Sequence, residues 1–520
     1  MKTFLERLLD YYQLNEDDYK KLIAPVSVDS FLAGRKFDNI EKIVEFVKSF
    51  VTNNKKIIVY GDYDADGIMA TSIIVKMFQY IGYEIHSYIP NRYQDGYGIN
   101  LENAKKIVED GFDLVITVDN GISAFEPIDY LKANNVSVVV FDHHEMQGSI
   151  PNCDYFMHPT LSNYGEVASS GAFTSFMFSV AFLGRFDKYL SILASISLIS
   201  DMMPLKEYNR ELLRLVISSY KEGEFLPIDL LKEQDTFNEV TIGMKIAPKI
   251  NSVGRLIDST LINQIIPFFV SNDKEKVMDC LTWINDCNFE RKELSKNVID
   301  VDSFKDTNEP AFVLKVDEKE GIIGLISNFL TSKYKKPSIV FTKDATGNSY
   351  KGSCRAPEGF NVVEAFEALK DYLITFGGHA LAGGCSIEAD KFDEFKEKFN
   401  QYVSEHPLVK VEKETIPLLI RELTFENLEI IKSFSPFGEG MKAPLFTLPR
   451  IKTNSLTFSK DQKHILTQIG MSTKLVGFNL PKEKVLAYDF VDLIGTMRKS
   501  EYRGFISLEF NISDFEQSNK

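Results

Sequence analysis

Cysteine, tryptophan and positive charge are all scarce in this chain. Five cysteines (Cys153, Cys280, Cys287, Cys354 and Cys385) and one tryptophan are spread over 520 residues. No CxxC pair occurs, which argues against a disulfide framework and a thiolate-built zinc site and suits a reducing cytoplasm. Lysine and arginine number 59 against 74 aspartate and glutamate, a net charge of −15. That balance excludes a histone-like basic coat, because such coats hold nucleic acid by neutralising phosphates. A local basic groove stays open. Long apolar runs are missing as well. The best membrane candidate, Val167 to Gly184, carries Ser169, Ser170, Thr174, Ser175 and Ser179 and is too polar for a span of about 20 mostly apolar residues. The acidic N-terminus has no apolar signal core. A soluble, cytoplasmic protein without membrane contact is expected, and its length calls for two to four domains.

What is present begins with three β-branched runs: Lys56 to Tyr60, Leu114 to Val118 and Val136 to Phe141. Each is continuously apolar, the pattern of a parallel strand covered on both faces. Helical segments between them (Met69 to Tyr80, Leu101 to Glu109) predict an α/β fold with a doubly wound parallel sheet over residues 1–210. A helical connector follows over 211–301. A smaller α/β domain is expected over 302–405, built from Ala311 to Val316, helical Gly324 to Lys333 and Pro337 to Phe341. After a polar linker, short alternating runs split by Gly, Pro and Asn predict a small β-barrel over 411–520.

The chemistry lies where the early strands end. The first runs into Asp62, Asp64 and Asp66, the second into Asp119, and the third into Asp142, His143 and His144. In open α/β sheets the ligand site lies beyond the carboxyl ends of the strands, so five aspartates and two histidines aim at one crevice. Asp201, closing the apolar helix Tyr189 to Ser200, is a further candidate. So many carboxylates cannot share a pocket and stay ionised without a cation. Oxygen donors with imidazole suit Mn²⁺ or Mg²⁺, and a pair of ions would serve a phosphoryl displacement. A calcium EF-hand is excluded, since position 12 counted from Asp62 is Ile73 rather than Glu. Singly each aspartate is an ordinary helix cap or turn former; Asp113, Asp129 and Asp154, off the strand ends, keep that reading.

The segments YGDYDADGIMATS, VDNGIS, FDHH and ISLISDMMPL resemble the successive motifs of the DHH phosphoesterase superfamily, in its branch of single-strand-specific DNA exonucleases. The likeness continues through IPNRYQDGYGIN, IAPKINSVGRL, NFERK, KGSCRAPEGFNVVEAF, FGGHALAGG and SPFGEGMKAPLF, in family order over nearly the whole chain. It implies that Asp64, Asp66, Asp119, His143 and Asp201 are metal ligands, with Asp119 bridging, and that Asp62 and His144 line the same catalytic centre. It implies substrate contacts from Arg255, Arg355, Gly377, Gly378 and His379. Glycines at the last segment let backbone N–H groups approach an anion, and arginine adds a planar fork for phosphate. Three departures stand out: Tyr60 replaces a common histidine ligand, Glu318-Lys319 replaces a Trp-His pair, and Met441 replaces an Asn.

Charge is uneven along the chain. Residues 441–520 hold twelve Lys and Arg against eight Asp and Glu, a net of +4 that leaves −19 on the rest. Phe446, Phe458, Phe478, Tyr488, Phe490, Tyr502 and Phe505 lie among those cations, a mixture that tracks a backbone and stacks bases; more than half of these rings are expected to fill the barrel interior. The resemblance implies an oligonucleotide-binding (OB) fold there. A second acid-free window, Thr241 to Leu256, holds Lys245, Lys249 and Arg255 and is expected along the DNA path. The implied activity is a processive 5′→3′ exonuclease on single-stranded DNA, releasing nucleoside 5′-monophosphates in repair and recombination. It would act as a monomer using two Mn²⁺ or Mg²⁺ ions, with a single-strand-binding protein and a helicase as partners. The alternatives are a nanoRNase or cyclic-dinucleotide phosphodiesterase of the same superfamily, and a non-catalytic replication scaffold. The basic C-terminal barrel speaks against the first, and the full set of ligands against the second.

Overall fold

The computed structural model describes the chain except residues 1, 147, 300–307, 345–346, 410–412, 503 and 519–520. It divides into two compact units, Val28–Val411 and a second made of Met1–Ser27 with Glu412–Lys520.

In the larger unit the first sheet is built from β1 (Ile57–Tyr60), β2 (His86–Tyr88), β3 (Leu114–Val118), β4 (Ser137–Phe141) and β5 (Tyr155–Met157). Their order is β2-β1-β3-β4-β5 and every pairing is parallel. β1, β3 and β4 are the expected apolar runs, and β1 and β3 are buried along their whole length. The short β2 and β5 carry no comparable apolar run, so hydrophobic pattern does not reveal them. This strand order reverses between β1 and β3, and in doubly wound sheets that switch point opens the ligand crevice. The run Val167 to Gly184 contains the helix Gly171–Leu183, which is buried through most of its length. Among the described residues no helix is long and apolar enough to cross a membrane.

Helices from Glu207 to Ile299 lead to the second sheet: β6 (Phe312–Lys315), β7 (Ser338–Lys343), β8 (Ser349–Arg355), β9 (Thr375–His379) and β10 (Ala382–Glu388). Its order is β6-β7-β8-β10-β9, with only β6 and β7 parallel. The helix Glu320–Tyr334 packs over β7 and β8. The expected boundary at 301/302 and the expected start of the terminal domain at 411 lie outside the described residues.

The smaller unit holds β11 (Ile416–Pro417), β12 (Phe446–Lys452), β13 (Ile465–Gln468), β14 (Thr473–Gly477), β15 (Phe490–Tyr502) and β16 (Phe505–Gln517). They pair in the order β11-β12-β15-β16-β14-β13, so the ladder leaves β11 and β13 as edges. The first 27 residues, expected within the 1–210 domain, compact with this unit instead. The cause is apolar burial: Phe4, Leu8 and Leu9 share one core with Phe446, Leu448 and Phe510. Phe4 stacks on Phe446 with ring centroids 5.8 Å apart. A capping box from Thr3 and Glu6 starts that helix.

Candidate metal centre and anion cleft

The centre is assembled from strand ends and helix ends. Beyond β1 the chain turns through Asp62, and Asp64 caps the helix Ala65–Tyr80, its Oδ1 accepting from the backbone N–H of Asp66 (2.9 Å) and Gly67 (3.2 Å). Gly67 is required here, because a Cβ would lie 2.4 Å from the Asp62 nitrogen. Asp66 faces the N-terminus of Gly171–Leu183. Its carboxylate accepts from the N–H groups of Gly171 and Ala172 (both 2.8 Å) and from Ser197 Oγ at 2.5 Å. A Cβ on Gly171 would sit 2.6 Å from that of Asp119, so glycine lets the helix end reach the strand end. Asp119 follows β3 in the left-handed region, φ 61°. Asp201 caps the C-terminus of Lys188–Ser200.

These groups converge. His143 Nε2 lies 3.0 Å from Asp119 Oδ1 and 3.4 Å from both Asp66 Oδ2 and Asp201 Oδ2. Asp62, Asp64 and Asp119 form a second ligand-sized set, and Asp119, His143 and His144 a third; within each, the donor atoms lie within 4.8 Å of one another. Asp119 and His143, 3.0 Å apart, connect the first two sets. All five residues expected as metal ligands are brought together, and Asp62 offers a further donor.

The electrostatics favour a bound cation. Burial, then the neighbouring aspartates, pushes the carboxyls of Asp62, Asp64 and Asp119 upward, and that of Asp201 up to about 8. Asp62 Oδ1 and Asp201 Oδ2 are buried with no hydrogen-bond partner, an arrangement whose cost a bound ion removes. Burial pushes His143 down to about 4, keeping the imidazole neutral as a ligand must be. The donor set of carboxylates and imidazole fits Mn²⁺ or Mg²⁺. Tyr60 takes no part: its hydroxyl is buried and donates to the Gly98 carbonyl at 3.2 Å.

His144 behaves differently from His143. Its Nδ1 lies 2.8 Å from Asp142 Oδ1, and that contact, working against burial, raises its pKa to about 9. Asp142 is held at about 2, again against burial, by the same histidine. The other Asp142 oxygen accepts from Ile122 N–H at 2.9 Å. The His144 carbonyl lies 3.0 Å from His158 Nε2.

Beside the centre lies a cleft of about 940 Å³. Tyr63, Arg92 and Tyr97 contribute to its lining, as do Ser353, Arg355, the glycines 377, 378, 383 and 384 of β9 and β10, and Lys351, which pairs with Glu320 at 2.9 Å. Arg92 stacks over Tyr63 at 4.1 Å. Arg255 donates to the Gly321 carbonyl at 3.0 Å, and burial, then Arg92, Arg291 and Arg355, pushes its pKa down to about 10. Of these arginines, Arg92 and Arg355 reach the cleft wall, and neither has a carboxylate ion pair among the described residues, which suits an anion there. Arg355, Gly377 and Gly378 line this cleft, whereas Arg255 is not among its lining residues. His379 does not join them: it is exposed at the end of β9, off the cleft wall. The window Thr241 to Leu256 also needs correction. Lys245 pairs with Glu233 and Asp235, and Lys249 is buried on Glu233 at 2.7 Å, so neither lysine offers free charge there.

Sequence reasoning missed Arg92, Arg291, Ser353, Tyr97 and His158 as members of this neighbourhood. Arg92 and Tyr97 lie in one of the quoted segments, NRYQDGYG, but nothing in their spacing reveals which wall they reach.

Comparison with known proteins agrees with this geometry. The DHH family, N-terminal domain, matches residues 56–200; the DHHA1 domain matches 308–405; and the RecJ OB domain matches 416–514. The single-stranded-DNA-specific exonuclease RecJ of Bacillus subtilis is 26% identical over 499 residues, covering 91% of this chain and 63% of that protein. This chain thus spans somewhat less than two thirds of that relative. The crystal structure of RecJ in complex with Mn²⁺ from Thermus thermophilus shares the fold with a TM-score of 0.82 at 22% identity, over 99% of this chain and 76% of that one. A crystal structure of exonuclease RecJ bound to manganese is 26% identical with a TM-score of 0.62, over 72% of this chain and 97% of that one.

Proposed function

The chain belongs to the RecJ family of DHH-domain proteins, and on that premise we propose that it is a 5′→3′ exonuclease that degrades single-stranded DNA to nucleoside 5′-monophosphates. The observation that carries the reading is one arrangement: the carboxylate and histidine cluster at the β1/β3 switch point opens beside an arginine-lined cleft.

Asp64, Asp66, Asp119, His143 and Asp201, with Asp62 beside them, would hold two Mn²⁺ or Mg²⁺ ions. Bound there, such ions supply Lewis acidity at the scissile phosphate and lower the pKa of water to near neutrality. The remaining steps belong to the chain's own groups. Arg92 and Arg355 clamp the terminal 5′-phosphate over the open glycine surface of β9 and β10, with Arg255 adding its charge nearby, which places the next phosphodiester at the carboxylates. Holding a terminal phosphate sets the direction of digestion. His144, kept protonated by Asp142, stands beside the cluster to donate its proton to the departing 3′-oxygen. In the smaller unit, Phe478, Tyr488, Phe490 and Phe505 are exposed while Phe446 is fully buried, so the exposed rings are available to stack bases of the incoming strand.

We assign the protein to the cytoplasm as a monomer acting in repair and recombination, where a helicase would supply its strand and a single-strand-binding protein would share it. One time course tests the activity. Purified protein with Mn²⁺ is offered 5′-blocked and 3′-blocked single strands, a duplex and a cyclic dinucleotide. Digestion of single strands from a free 5′ end is expected. Equal attack on the cyclic dinucleotide, or digestion of the 5′-blocked strand, overturns the proposal.

A further inference from the structure

Asp119 occupies a backbone conformation that few residues other than glycine adopt, φ 61°, and something must hold it there. Its N–H donates to the Phe141 carbonyl at 2.8 Å. Its carbonyl accepts from the Tyr97 hydroxyl at 3.0 Å. The same hydroxyl lies 3.0 Å from the imidazole nitrogens of His144, whose ring meets the Tyr97 ring edge-on with centroids 5.4 Å apart. One oxygen thus touches both the backbone of Asp119 and the ring of His144.

Tyr97 is itself anchored from behind. Gly98 follows it at φ 65°, where a Cβ would lie 3.2 Å from that of Asn120, and the Gly98 carbonyl accepts from the buried Tyr60 hydroxyl. The Asn120 amide donates to the carbonyls of Tyr60, Gly61 and Val118, and its oxygen accepts from Ile99 N–H at 3.3 Å. The loop after β2 is therefore tied to the ends of β1 and β3, and Tyr97 is its extension into the centre. The residue as a whole stays 53% exposed and its ring forms part of the cleft wall.

We infer that Tyr97 is a positioning residue: its hydroxyl ties the Asp119 backbone to His144 and so fixes the spacing between the Asp119 carboxylate and the His144 imidazole. The inference rests on the exonuclease reading for its kinetic consequence but not for its effect on metal binding. Groups that orient ligands from behind typically matter about 10–100-fold for metal affinity or activity.

Two substitutions separate the hydroxyl from the ring. Tyr97→Phe removes one oxygen and keeps the cleft wall; Tyr97→Leu removes both. For Tyr97→Phe, kcat on single-stranded DNA is expected to fall about 10–100-fold with KM within about twofold, and Mn²⁺ affinity by calorimetry is expected to fall in parallel. Tyr97→Leu should add a rise in KM. If the ring only supports substrate, Tyr97→Phe retains wild-type kcat and Mn²⁺ affinity while Tyr97→Leu raises KM, and the inference is overturned. Should the wild-type protein fail to cut single strands, the function is refuted, yet the Mn²⁺ titrations of wild type and Tyr97→Phe still decide the tether.

Discussion

Replacing Asp119 by Asn should make the metal-free protein more stable while removing its response to metal. Asp119 is 2% exposed, and burial followed by Asp66, Asp64, Asp62 and Asp201 drives its carboxyl upward. Donor atoms in its ligand set lie within 4.8 Å of one another. At that separation and an effective dielectric near 20, two full charges repel by about 3.5 kcal/mol. Partial protonation relieves some of this, leaving about 1–3 kcal/mol to be gained by neutralising one member. Asparagine is nearly isosteric, tolerates positive φ, and keeps an oxygen for the 3.0 Å contact with His143. The gain corresponds to a Tm rise of roughly 1–4 °C for a unit of this size. Mn²⁺ at about a hundred times its Kd should stabilise the wild-type protein by about 2.7 kcal/mol, and the variant much less. Differential scanning fluorimetry with chelator and with Mn²⁺ reads both effects. A lower Tm in chelator together with an undiminished Mn²⁺-induced rise would refute the account of a repulsive cluster awaiting a cation.

Further outcomes follow from the same geometry. His144 is raised to about 9 by Asp142, so its proton is in place below that pH and lost above it; Asp142→Asn should move the alkaline limb of the kcat profile down toward about 6.5, as a pH series would show. Arg355→Ala should weaken capture of a 5′-phosphorylated strand about 10–100-fold relative to a 5′-hydroxyl strand, the scale of a lost charge-assisted bond, measured as the ratio of kcat/KM values. Gly171→Ala would force a Cβ to 2.6 Å from that of Asp119, and Mn²⁺ binding and turnover should both collapse in calorimetry and nuclease assays. In the smaller unit, Phe446→Ala should cost about 3–5 kcal/mol of stability by denaturant titration. Phe478→Ala and Phe490→Ala should instead leave stability nearly intact and weaken single-strand binding by about 1–3 kcal/mol per stacked base.

Much of the centre was legible because its ligands sit in short contiguous motifs at the ends of continuously apolar strands. A run such as Leu114 to Val118 has the pattern of a covered strand, and a covered strand in an open α/β sheet brings its C-terminal end to the crevice. The arginine site was only partly legible. Arg92, Arg255, Arg291 and Arg355 come from four separated segments, and no periodicity links them. The lysines of Thr241 to Leu256 misled for the converse reason: the acids that neutralise Lys245 and Lys249, Glu233 and Asp235, lie just upstream of the acid-free window. His379 looked like a substrate contact by its glycine neighbours, but strand pairing with Ala382 leaves it at the exposed end of β9.

By itself the sequence determined the α/β class, the order of the domains and the ionisable groups at each strand end, because hydrophobic period and local motif are properties of neighbouring residues. Only the tertiary structure decided which distant groups meet. It placed Phe4, Leu8 and Leu9 in the core of the C-terminal unit, gathered four arginines beside the carboxylates, and set the Tyr97 hydroxyl between Asp119 and His144. Those contacts depend on how strands order and helices end against them, and burial and charge act across that geometry whatever the separation along the chain.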